Sequence, residues 1–357
     1  MSDRAWAATR KGLFELRRQS SGWSIANVGF LGEPVSAVLP PMASGRMLAA
    51  LNLGHFGVKV HASDDGGATW QEVATPAYPA QPAQASGPAW TLVQVWSLAA
   101  QGDTVWAGTL PGGLFRSDDR GASWQLDEAL WHQPGRAEWF GGGYDVPGIH
   151  SIEPHPARPG EMIVAVSCGG VWATRDGGAT WAPKCKGLRA AYMPPEQAEN
   201  PNVQDPHRVV RCPSAPESLW MQHHNGIWRS TDGAETWQEV TSAPLSSFGF
   251  AVAVHPADPQ TAWFVPGVAD QQRVPVDGAL AVNRTCDGGR SFETLRAGLP
   301  QSACYDLVYR HGLAVAPDGR QLLMGSTTGS LWASGNGGDT WSTVSNHLPP
   351  VHAVRFG

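Results

Sequence analysis

The sequence predicts an all-β fold: a seven-bladed β-propeller with four antiparallel strands per blade, its last blade closed by N- and C-terminal strands. Three observations predict it. An eight-residue motif recurs six times at near-constant spacing, alternating apolar segments flank each copy, and the composition favours strands and tight turns over helices.

The copies read SDDGGATW (63–70), SDDRGASW (117–124), TRDGGATW (174–181), STDGAETW (230–237), TCDGGRSF (285–292) and SGNGGDTW (334–341). Their closing aromatics lie 49 to 57 residues apart, room for four strands with loops, and Trp23 in SSGWSI fits a seventh, degenerate copy. One alternating strand precedes each octet (GLFRSDD, GVWATRD) and another follows it (TWQEV, TWSTV). Two more apolar runs come earlier in each unit, as in FAVAVHPADP and TAWFVPG, which makes strands A to D of one blade. After Trp341 only LPPVHAVRFG remains, while the chain opens with RAWAAT, GLFELRR and GWSIANV. The seventh blade is therefore expected to take strand A from the C-terminus and B, C and D from the N-terminus, a clasp that leaves no open edge. The whole chain, 1–357, is read as one domain.

The bulk numbers exclude several classes. Gly (42), Pro (29) and Trp (17) are abundant and only 16% of residues are charged, as many short strands and turns require. A net charge of −6 without basic runs argues against nucleic acid as a partner. No apolar run reaches membrane-spanning length, so no membrane association is expected. The start, MSDRAWAATRKG, lacks the apolar segment of a signal peptide, and five irregularly spaced cysteines suit a reducing cytoplasm.

Paired acids such as Asp64 and Asp65 raise the question of catalysis. Six copies answer it differently: glycine allows the tight turn, the Asp accepts bonds from its own turn, and the aromatic packs across the blade. Asn336 in the last copy replaces an acceptor but not an acid or base. The octet resembles the Asp-box of BNR-repeat propellers, shared by sialidases, xyloglucan hydrolases, sortilin-type receptors and photosystem II assembly factors. The chain is most similar to single-domain bacterial seven-bladed members labelled sialidase-like or glycosyl hydrolase BNR repeat. The resemblance implies a hydrolase-like, glycosyl-hydrolase-like function or a non-catalytic interaction role. Sialidases hold a carboxylate with three arginines, one in an Arg-Ile-Pro element near the chain start. Here the similar tripeptide is Arg273-Val274-Pro275, in a B–C loop of blade 5, so sialidase activity is not expected.

The octets also orient the search. They mark one end of the blades, shared with the A–B turns that carry His155 and His255; the B–C loops and D–A crossings lie at the other. There, alignment of the A strands places Trp96, His150, His207, Phe250 and His311 at one position, and the B–C loops align His55, Cys168 and His224. Counting through the blade 4 hairpin sets His207 opposite His223. His150, His207 and His223 are thus candidate acid–base residues and candidate ligands for a divalent metal, because imidazole serves both near neutral pH. The ordinary alternative is that these histidines cap packing between blades. Arg208, Arg273 and Arg310 offer an anion bidentate bonds. The long crossing from blade 2 to blade 3 adds Glu138 and Asp145 as acids and Trp139 and Tyr144 as contacts. The expected ligand is small and polar or anionic. The alternative is a non-catalytic protein-interaction or assembly propeller with the tryptophans of that crossing as exposed anchors.

Overall fold

The computed structural model describes residues 3–84, 87 and 89–357. Its strands form seven four-stranded antiparallel sheets, the blades of a seven-bladed β-propeller. The blades span residues 35–73, 94–126, 148–183, 206–240, 249–295 and 313–345, and the seventh pairs Val351–Phe356 with Arg4–Thr9, Gly12–Gln19 and Gly22–Gly29. The clasp is as the sequence requires: Ala5 pairs with Phe356 and Ala7 with Val354. Helix is confined among the described residues to one four-residue turn, Glu128–Trp131, and short 3₁₀ segments. Two compact units are distinguished: residues 33–185 and 190–206 carry blades 1 to 3, and residues up to Gly32, 186–189 and 207–357 carry blades 4 to 7.

The octet is a closed hydrogen-bonded turn. In the first copy Thr69 donates from its amide to Asp65 Oδ1 (2.9 Å) and from its hydroxyl to Oδ2 (2.6 Å), while Ser63 donates to Oδ1 (2.8 Å). The amide of Gly67 in turn donates to the Ser63 hydroxyl (2.8 Å). Asp119, Asp176, Asp232 and Asp287 repeat the pattern with their own hydroxyls. Asn336 keeps it by accepting from the Thr340 amide and donating to its hydroxyl. Asp64, the other acid of the pair, binds Arg46 at 2.8 Å. The two carboxylates therefore do separate structural work.

Blades are held by tryptophan. Trp220 and Trp263 are almost wholly buried in the second strands of blades 4 and 5. Trp220 donates to Pro259 O (3.0 Å) and Trp263 to Gly337 O (2.8 Å), each reaching a turn of the following blade. Rings this large each add substantial buried apolar area to a blade contact.

The first strands share a further feature. Register shifts fall between Val35 and Ala37, Val95 and Ser97, Ile149 and Ser151, and Gly249 and Val252. Ser36, Trp96, His150 and the Phe250–Ala251 pair therefore sit at β-bulges. A bulge re-aims a side chain out of the normal alternation. The position aligned by sequence is one where the strand bends.

The octet carboxylates predict an acid response. Asp65, Asp119, Asp176 and Asp287 lie at about 2, below the ordinary 3.8, and the bond from Thr69, Ser123, Thr180 or Ser291 is the largest cause. Folded pKa values below unfolded ones mean that the stabilisation is present above pH 3.8 and is lost as pH falls through about 2. A variant with these four aspartates changed to asparagine is expected to show a flatter decline of Tm between pH 5 and pH 2 than the parent. Parallel declines would contradict the assignment.

Candidate functional site

In the unit with blades 1 to 3, two long crossings meet at the turn after Met162–Ser167. Ser167 Oγ donates to Gly142 O (3.1 Å), and Phe140 N donates to Cys168 O (3.2 Å), which ties down the crossing 127–147. Cys168 N donates to Asp205 Oδ1 (3.2 Å) and Gly170 N to Gln204 O (3.0 Å), which ties down the crossing 190–205. Cys168 takes the left-handed conformation (φ 47°), strained for a side chain, and is buried. Gly142 is required where it stands, because a Cβ there would lie 2.5 Å from Cys168 Sγ and 2.8 Å from Ser167 Oγ. Tyr192 donates to Val203 O at 2.5 Å. Desolvation of the hydroxyl end, with Asp205 and Cys168 beside it, pushes its phenol well above the ordinary range, although the side chain as a whole is 38% exposed.

His150 is fully buried in this unit, its Nδ1 3.0 Å from Ser151 Oγ and its ring edge-on to Trp96 at 5.4 Å. Trp96 in turn supports Tyr144 (5.1 Å), whose hydroxyl accepts from Gln94 Nε2 (3.4 Å). His55 is exposed against Phe56. Glu138 is exposed and accepts from Asn200 Nδ2 (2.9 Å), and Asp145 is exposed.

The tryptophans of the first crossing correct an expectation. Trp131 and Trp139 are buried, not exposed anchors. Trp131 packs on Tyr78 and carries the Arg136 guanidinium over its face at 3.3 Å, while Trp139 packs on Trp172. Large rings within a long loop give it a core of its own, so burial wins over display. The exposed aromatics of the two crossings are Phe140, Tyr144 and Tyr192.

The unit with blades 4 to 7 builds a compact aromatic and cationic cluster. Phe248, Phe250 and Leu307 form an apolar cluster separate from the blade cores, with Tyr309 packed against it. His207 stacks on Phe250 with centroids 4.3 Å apart and 13° between planes. Its Nδ1 lies 2.6 Å from Gly249 O, and since a carbonyl only accepts, Nδ1 carries a proton. His224 stands edge-on to His207 at 5.3 Å and to Phe248 at 6.0 Å. The guanidinium carbons of Arg273 and Arg310 each lie 5.4 Å from the Phe250 ring centre. Arg273 is also paired with Asp270 (2.6 and 3.1 Å), which fixes its fork. Arg310 is buried, and His311 is drawn into a parallel bridge with Ala353. Arg208 neighbours His207 on the strand and so projects to its other side.

The turn after Leu219–His223 brings a further histidine, His224, to His207, while His223 stays at the strand end. There His223 pairs with Gly226, accepts from Asn225 N through Nδ1 (3.1 Å) and faces Trp228. His224 sits in the turn between the strands, outside their alternation, with its ring against His207. Phe248, Tyr309, Tyr192 and Asp205 carried no sequence signal beyond position. Phe250→Ala removes the cushion under His207, and is expected to cost about 3 kcal/mol in urea unfolding. A change under 1 kcal/mol would show that the cluster bears no packing load.

No profile of a known protein family and no curated protein matches the chain. Solved structures do. A GH74 xyloglucanase from Xanthomonas campestris aligns over 97% of this chain with TM-score 0.66 at 18% identity, and this chain spans 53% of that one's length. YCF48 bound to D1 peptide aligns over 87% of this chain and 81% of its own, with TM-score 0.56 at 15% identity. A Bacteroides uniformis protein provisionally assigned as a 6-phosphogluconolactonase covers 99% of this chain and all of its own, with TM-score 0.61 at 11% identity. At these identities the likeness establishes the propeller fold, which is shared by a xyloglucanase and by a protein bound to a peptide.

Proposed function

We propose that the chain binds a small anionic or sugar-like ligand at the Phe250 cluster and acts on it as a hydrolase, with His207 and His224 as the acid–base pair. The observation that carries this is the His207–Phe250 stack beside two guanidinium groups. The stack and the bond to Gly249 fix the imidazole in position and tautomer, as general acid–base work requires. Arg310 and the Asp270-paired Arg273 place two guanidinium groups beside the Phe250 ring, where an anion would meet them. In this reading the octets are the Asp-boxes of a BNR-type propeller and the protein works in the cytoplasm. The same two imidazoles also offer a divalent cation nitrogen donors within 4.8 Å of each other.

The likeness to YCF48, a peptide complex, supports the second reading, a non-catalytic interaction propeller. Calorimetry with inorganic phosphate and with a uronic acid separates the two. Binding is expected in the parent and at least about tenfold weaker in Arg310→Met. His224→Gln is expected to keep binding but lose turnover on a panel of aryl esters, lactones and aryl glycosides. Absence of both binding and turnover would leave the interaction reading standing. Elemental analysis of tag-free protein is expected to find metal that His207→Ala loses; metal-free parent protein would remove the cation from the proposal.

A further inference from the structure

We propose that the two crossings of blades 1 to 3 form a docking surface for a cationic, partly apolar peptide segment. This is distinct from the Phe250 cluster and does not depend on it.

The surface is defined by what the crossings leave outside. Phe140 (38%), Tyr144 (43%) and Tyr192 (38%) are exposed, although Trp131 and Trp139 of the same crossing are buried. The same stretches expose Glu138, Asp145, Glu196 and Glu199. Within 127–147 and 190–205 the one lysine or arginine is Arg136, laid over Trp131 with a guanidinium nitrogen donating to Pro111 O (3.3 Å), while Lys184, Lys186 and Arg189 lie at the root of the second crossing, before residue 190. Aromatic faces rimmed by carboxylates attract ammonium and guanidinium groups twice over, by charge and by the ring quadrupole.

The surface is contiguous and held firmly. Asn200 of the second crossing donates to Glu138 of the first (2.9 Å), and Gly135 packs so closely on Asn202 that a Cβ would lie 2.5 Å from its Oδ1. Both crossings are bonded to the Ser167–Cys168 turn. Tyr144 is braced below by Trp96 and beside by Gln94, which itself accepts from Asn52 (3.2 Å). A loop pair fixed at this many points loses little entropy on binding, which favours affinity. Charge selects the occupant: a neutral glycan would stack on the rings and donate hydroxyls to the carboxylates, whereas a cationic segment adds Coulomb attraction to all four.

The test is fluorescence anisotropy on the full chain, with a labelled short peptide of arginine, lysine and leucine and a counterpart bearing glutamate in place of its basic residues. The basic peptide is expected to bind, to weaken as salt rises, and to bind about tenfold more weakly to a Glu138→Gln, Asp145→Asn, Glu196→Gln triple variant. Tyr144→Ser is expected to weaken binding with an unchanged salt slope. Circular dichroism melts verify that each variant folds. Equal binding of the two peptides, or an unaffected triple variant, would overturn the proposal. So would preferential binding of a neutral oligosaccharide, which would make the surface a glycan site.

Discussion

Six of the seven blades close the turn between their last two strands on one side-chain acceptor. In five octets a single carboxylate accepts from an amide and two hydroxyls of its own turn, and in the sixth Asn336 accepts from the Thr340 amide and the Ser334 hydroxyl and donates to the Thr340 hydroxyl. Water competes for such bonds at an exposed turn, so each one contributes modestly. Six repetitions make the sum decisive and the geometry uniform. With that turn closed, the apolar faces of strands A to C are pinned in register, and the tryptophans of strand B reach the next blade.

A scaffold made uniform at one end leaves the other free to vary. The bulges in the first strands release Trp96, His150 and Phe250 from plain alternation. The loops above them then diverge in length and chemistry. Blades 1 to 3 carry acidic, aromatic crossings stapled to the Cys168 turn, while blades 4 to 7 carry an imidazole and guanidinium cluster on Phe250. Opposite charge character on loops of one repeating frame is what a propeller permits, since its blades do not depend on loop sequence. The fold likeness to a xyloglucanase, a peptide-bound YCF48 and a lactonase-like protein has the same origin.

The frame was legible because it is written in short-range terms. Period-two alternation, a glycine turn and a fixed repeat each act within ten residues, and the Asp65 and Asn336 turns follow from their own octets. The clasp was legible too, since the strand count at the two ends leaves one arrangement. Positions along strand A could be aligned, which brought His207 and Phe250 to notice.

Side-chain partners were a different matter. Counting through a hairpin set His223 against His207 but did not reveal that His224, in the turn beyond, brings its ring to His207 while His223 accepts from its own loop. Trp131 and Trp139 read equally well as exposed anchors or as loop cores, and only packing against Tyr78 and Trp172 decided for burial. The sequence by itself determined the strands, the turns and the order of the blades, because those rest on local periodicity. Which rings stack, which guanidinium groups meet the Phe250 ring and which carboxylates face outward were decided by the tertiary structure, because each depends on a neighbour tens of residues away.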